Sequence, residues 1–231
     1  LGIPITGDFK IYNIFVGIQP HGSRYNCTYC FGDSQEKNWG GGGAELRTFG
    51  SCRLWAEKWR ESRFYGVDRT KLMQYMSQEY PPVFEFVDDE VLIMDIFAPP
   101  QLHLFTGITH HLYKNLMRKL EAFDEKLYKK IDNWMKQNKI IPSEKTEHGF
   151  TGGCADKLLS KSQELARLLP PLFQNFALCM SKFREVQDFC LGKTLMKGWR
   201  QKIQDFEKLF IKLDISMSTK VHVLVHDVPR W

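Results

Sequence analysis

Two cysteines separated by two residues, Cys27-Thr28-Tyr29-Cys30, are the side chains of this sequence best suited to chemistry. Two thiolates at that spacing in a turn both reach one tetrahedral zinc ion at about 2.3 Å, but the pair alone supplies half a site. Near the other end, in KVHVLVHDVPRW, His222 and His226 stand four apart. On a helix that spacing places both imidazoles on one face, toward one metal. The four together predict a two-cysteine, two-histidine zinc centre. By tying residue 27 to residue 222 it would clamp the intervening chain and contribute on the order of 10 kcal/mol to folding.

Each half also has a plainer reading. The cysteines could be a redox dithiol or packed thiols, although a redox pair normally opens a helix after a strand and this one follows a polar loop. The histidines alone could be solvated or capping residues. Cys52, Cys154, Cys179 and Cys190 fall in or beside apolar helical stretches and read as packing residues. His103, His110, His111 and His148 have no acidic or cysteine partner at metal spacing.

Asp8 is the remaining candidate. GIPITG, residues 2–7, reads as a short buried strand ending in a turn, and residues 9–18 have the apolar spacing of a short helix. Nuclease folds place magnesium-holding carboxylates at such strand ends, while an aspartate before a helix is also an ordinary N-cap. Both readings stand. The run Gly40 to Gly43 has no following Lys-Ser/Thr and no strand leading into it, so it is not a phosphate loop.

The elements that must position these residues are mostly helical. Residues 21–43 are polar and glycine-rich, a loop mobile at its tip. Residues 46–63 predict a helix with Leu46, Phe49, Leu54, Trp55 and Trp59 inside. Its Arg47, Arg53, Lys58 and Arg60 are either solvated or available to phosphates. Residues 83–97 predict a short strand or extended segment before Pro99 and Pro100. Leu116, Leu120, Phe123, Leu127, Ile131 and Trp134 form one stripe, predicting a single helix over 101–138. Further helices are predicted over 155–168, 171–191 and 197–213, the last carrying Trp199, Ile203, Phe206, Phe210 and Leu213 on one side.

Bulk composition sets bounds. With 231 residues, 43% hydrophobic and 13% aromatic, the chain can bury a sizeable core, which excludes overall disorder. A net charge of +5 and pI near 8.8 permit a polyanionic partner without requiring one. No apolar run reaches the ~20 residues of a membrane helix and no signal peptide is visible, so an intracellular, reducing location is expected. The first residue is Leu1, so the N-terminus of the protein is expected upstream.

Taken in order, these segments resemble the catalytic core of the recombination-activating gene recombinase and its Transib and RAG-like transposon relatives. In that family the second carboxylate of the catalytic triad precedes a Cys-x-x-Cys pair, as Asp8 precedes Cys27 and Cys30 in SRYNCTYC. LRTFGSCRLWAEKWRES is similar to a helix that follows the pair. PPQLHLFTGITHHLYKNL looks like a Leu-His-x-x-x-Gly segment at Leu102, His103 and Gly107. HGFTGGCADKLLSK resembles a later Gly-Asn-x-x-x-Lys-Leu segment through Gly152, Gly153, Lys157 and Leu158. The family's zinc histidines would fall in KVHVLVHDVPRW, but five apart, which puts the second at Asp227. Imidazole is the commoner companion of thiolates, so His226 is the expected fourth ligand, with Asp227 as the alternative.

The resemblance implies a mainly α fold: a zinc-binding helical insertion attached to a partial RNase H-like α/β core. Residues 1–20 would belong to that core, 21–45 to the cysteine loop, and 46–231 to the helical insert that closes the zinc site. It also implies a nuclear cut-and-paste DNA transposase acting on transposon ends, with a homodimer as a candidate assembly. Its carboxylates would hold two Mg2+ or Mn2+ ions. Asp8 would be one of three such acids, the others lying outside this chain, which would then be inactive alone. The rival readings are a non-catalytic zinc-stabilised helical module that binds DNA or protein, and a thiol redox protein.

Overall fold

Side-chain caps at Asp8, Thr48, Asp124 and Thr151 open four of the helices. The computed structural model describes residues 5–19, 23–142, 149–192 and 194–230, so His148 and the first part of the predicted strand over 2–7 lie outside it. The described residues group into two compact units, one from residues 1–100 and 221–231, the other from 101–220.

In the first unit, Asp8 accepts a 2.7 Å hydrogen bond from Lys10 N and opens α1 (Phe9–Val16). Gly17 ends it at φ 82°, a left-handed geometry, and a Cβ there would lie 1.9 Å from the Tyr80 carbonyl oxygen, so only glycine fits. Among the described residues of the predicted strand, pairing consists of one parallel bridge between Ile5 and Phe97. Tyr12 Oη fastens it by donating across the Ile5 and Ala98 carbonyls at 3.1 Å each. The second helix, α2 (Phe49–Phe64), starts three residues later than predicted because Thr48 and Ser51 form a reciprocal capping box. Its buried stripe is Phe49, Cys52, Ala56 and Trp59, at steps of three and four, which leaves Leu54 off the inner face and half-exposed.

Residues 83–97 form turns and a short helix, α3 (Ile93–Ile96), rather than a strand. Arg53 accounts for this: it donates to the carbonyls of Phe84, Glu85 and Val87 and pairs with Asp89, satisfying backbone groups that a sheet would otherwise take.

Among the described residues, the regular structure of the second unit is all helical. The stretch predicted as a single helix divides into α4 (Gln101–Phe123) and α5 (Glu125–Gln137), because Asp124 accepts hydrogen bonds from Lys126 N and Leu127 N and restarts the helix. The stripe breaks there too, with Phe123 largely exposed. The next predicted helix divides at Lys161 into α6 (Gly152–Ser160) and α7 (Ser162–Leu168). After α8 (Pro171–Cys190), with proline at its first position, comes α9 (Trp199–Ile211). α8 packs against α4, α6, α7 and α9. The rings of Phe105, Phe183, Phe206 and Phe210 run in sequence through this core, with centroids 6.3, 5.2 and 5.9 Å apart. In α10 (Thr219–His222) the chain returns to the first unit, continuing as a π-helical turn, Val223–Asp227, and a 3-10 turn, Val228–Arg230.

The protein is therefore mainly helical. Among the described residues β pairing is limited to four isolated bridges, and no sheet of an α/β core is present. None of the described helices is long and apolar enough to cross a membrane.

Phe206→Ala should cost about 3–5 kcal/mol in urea unfolding, whereas Phe64→Ala, on a side chain 86% exposed, should stay within about 0.5 kcal/mol. His111 adds a pH dependence. Burial lowers its pKa below the usual 6.5, although Nε2 lies 2.8 Å from the Ser216 carbonyl oxygen. A folded state that resists protonation is stable above that value and loses stability as pH falls below it. His111→Gln should flatten this acid slope in unfolding curves taken between pH 7 and 5.

Candidate metal centre

The cysteine loop is organised by its own backbone. Tyr29 N and Gly32 N, each two residues beyond a cysteine, donate to Cys27 Sγ and Cys30 Sγ at 3.4 Å, an arrangement that favours anionic sulfur. Gly32 permits the second of these contacts, since a Cβ there would sit 3.3 Å from Cys30 Sγ and 3.1 Å from His222 Cε1. Thr28 Oγ1, 2.6 Å from Asn13 Oδ1, anchors the loop to α1, and an antiparallel bridge joins Cys30 to Leu46.

The C-terminal segment meets this loop. Cys30 Sγ lies 3.0 Å from His222 Nε2, Cys27 Sγ lies 3.1 Å from Asp227 Oδ2, and His222 Nε2 lies 3.5 Å from Asp227 Oδ2. The four ligand atoms all lie within 4.8 Å of one another, and all four residues are buried. A tetrahedron with bonds of about 2.0–2.3 Å has edges of roughly 3.3–3.8 Å; the 3.5 Å separation lies within that range and the 3.0 and 3.1 Å separations lie just below it, so small outward shifts of the side chains would seat one zinc-sized ion. Cys27, Cys30, His222 and Asp227 thus form a buried group able to hold a metal.

Asp227 takes the fourth position in place of the expected His226, and the backbone gives the reason. The Val228 N–H donates to Val223 O, five residues back, so the turn is π-helical and wider than an α turn. Five-residue spacing then replaces four-residue spacing as the one that shares a face with His222. The His226 ring instead lies edge-on to His222, with centroids 5.1 Å apart, and hydrogen-bonds the Asn38 backbone.

The electrostatics favour a cation here. Burial raises the Cys27 thiol well above its usual range, pushes the Asp227 carboxyl up to about 6, and drives His222 down to about 3. Asp227 Oδ1 is buried with no hydrogen-bond partner among the described residues. An ionised carboxylate so placed is costly without a counter-charge, which a bound cation supplies.

Two surrounding features carried no sequence signal. The predicted mobile loop is pinned at Trp39, whose buried indole stacks on His222 with centroids 4.2 Å apart and planes 17° from parallel. To place it, Asn38, Trp39, Gly40 and Gly41 all turn left-handed, φ 51°, 56°, 73° and 74°, which explains glycines after Trp39 without any phosphate role. Arg47, expected to be solvated or phosphate-facing, is fully buried beneath the cysteine loop. Asp8 is not part of the metal group and serves as the cap of α1. Cys52, Cys179 and Cys190 are buried packing residues as expected, while Cys154 is partly exposed.

Compared with protein-family models and with curated proteins, this chain matches none.

The purified chain should hold one equivalent of zinc by elemental analysis. Cys27→Ser, His222→Ala and Asp227→Ala should each weaken binding by more than about 100-fold, while His226→Ala keeps the metal. Loss of zinc in His226→Ala with retention in Asp227→Ala would reverse the assignment of the fourth ligand.

Proposed function

We propose that this chain is the zinc-clamped helical part of a cut-and-paste DNA transposase of the RAG-like type, contributing Asp8 to its two-metal catalytic site. The observation that carries the reading is the meeting of Cys27 and Cys30 with His222 and Asp227 across most of the chain. The resemblance expects ligands in that order, with the last two five residues apart, and this spacing is the one that converges. The mainly helical build agrees with an insertion; the RNase H-like core, nuclear location and transposon-end DNA are further parts of the same proposal.

Zinc in this reading is structural. Cys27, Cys30, His222 and Asp227 would supply four protein ligands and leave no position for substrate, and Trp39 stacks on the His222 ring. Redox use of the thiols is disfavoured, because Cys27 and Cys30 are buried and the Cys27 pKa is raised, opposite to what an attacking thiolate needs. Magnesium or manganese ions, held by Asp8 and two carboxylates from outside residues 1–231, would activate the attacking oxygen and stabilise the leaving one. Asp8 is half-buried at the start of α1, where its cap bond to Lys10 N fixes the direction of its carboxylate.

Expressed within its complete reading frame, the protein should nick transposon-end DNA in a Mg2+- or Mn2+-dependent way. Asp8→Asn should lower that rate by roughly three orders of magnitude with zinc content unchanged. Undiminished nicking by Asp8→Asn would remove the catalytic role, and a complete frame without metal-dependent nicking would favour the non-catalytic binding module.

A further inference from the structure

A guanidinium with no solvent exposure needs a compensating charge, and Arg47 is 0% exposed. Its Nε donates to the carbonyl oxygens of Cys27 and Cys30 at 3.0 and 3.1 Å. Nη2 donates to Tyr25 O and Met76 O at 3.0 and 3.2 Å, and Nη1 reaches Gln78 Oε1 at 3.4 Å. The guanidinium also lies over the Phe31 ring, 4.2 Å from its centroid. Each of these acceptors is neutral. Among the described residues no carboxylate lies within salt-bridge distance of Arg47, so its hydrogen bonds are satisfied while its net charge is not. Burying an unbalanced cation is strongly unfavourable.

The metal centre has the opposite imbalance. Two thiolates, one carboxylate and a neutral imidazole around a divalent ion leave one net negative charge, whereas two thiolates and two imidazoles would leave none. Arg47 bonds the carbonyls of both cysteine ligands, so its cation abuts that anionic cluster in a region shielded from water. Arg230 also acts on Asp227, but its side chain is exposed and donates to Ala44 O, where solvent screens it.

We infer that Arg47 is the counter-charge of an anionic metal centre built from two cysteines, one histidine and one aspartate. It is a positioning residue that holds both cysteine carbonyls and makes an aspartate acceptable where imidazole would otherwise serve. The inference rests on the metal-centre reading above. It makes Arg47 and Asp227 a matched pair: changing either leaves one buried charge unbalanced, and changing both restores neutrality. A purely structural Arg47, needed only for its carbonyl bonds, would be equally necessary whichever residue stands at 227.

The test is a double-mutant cycle on the 231-residue chain, reading zinc affinity by competition with a chromophoric chelator and folding by circular dichroism. Arg47→Gln should weaken zinc binding by about 10- to 100-fold, the usual effect of losing a residue that supports the ligands. Arg47→Lys, which keeps the charge, should lose less, and Arg230→Gln should change little. Arg47→Gln should weaken zinc binding at least several-fold less in the Asp227→His background than in the wild type. If Arg47→Gln does not fold, recovery of a folded, zinc-loaded protein in the double variant carries the same information. An equal loss from Arg47→Gln in both backgrounds, or a double variant unfolded where Asp227→His alone folds, overturns the inference while leaving the metal centre intact. Wild-type protein that binds no zinc overturns both.

Discussion

The first unit depends on one closure, the contact of a four-residue cysteine turn with side chains 192 and 200 positions further along the chain. Bringing such distant segments together carries an entropic cost that grows slowly with separation but is large from the start. A few buried apolar contacts offset it poorly; a four-coordinate metal bond does so readily. Without an ion, the four side chains include a thiol held neutral, a carboxyl that resists ionising, and an imidazole that resists protonation. Burial thus makes these side chains a set that a positive charge placed between them would stabilise.

Three pieces of backbone support that closure. The left-handed run at Asn38 to Gly41 delivers Trp39 onto the imidazole, the π turn brings Asp227 round to face the thiols, and Gly32 leaves room for its own amide to reach sulfur. Irregular backbone of this sort is costly in isolation, and its concentration around one site marks where the fold gives up regularity for coordination. Arg47 sits beneath as the hub, joining Tyr25, Cys27, Cys30, Met76 and Gln78 by their oxygen atoms.

The second unit is built by a different rule. It has a continuous aromatic and aliphatic core, with ion pairs such as Lys202–Glu185 and Lys182–Glu185 on its partly exposed face. Its stability follows from apolar area and helix capping, and it shows no metal group among the described residues.

Much of this was legible in the amino-acid order. Helical periodicity located α8 and α9 within two residues of their ends, and the stripe of Ile203, Phe206, Phe210 and Leu213 is buried as its spacing required. The Cys27/Cys30 pair announced a ligand turn because two thiols at that spacing can chelate without help from the rest of the fold. Caps were present in the text too, at Thr48 and Asp124, but local propensity competes with them only where the chain bends, so one long apolar stripe concealed the break. What tertiary structure alone decided was the partner of each charge. Whether position 226 or 227 faces the thiols turns on a single inserted residue in a helical turn, and whether Arg47 is surface or core turns on which carbonyls surround it. Both depend on contacts between segments far apart in sequence, and linear spacing carries no record of them.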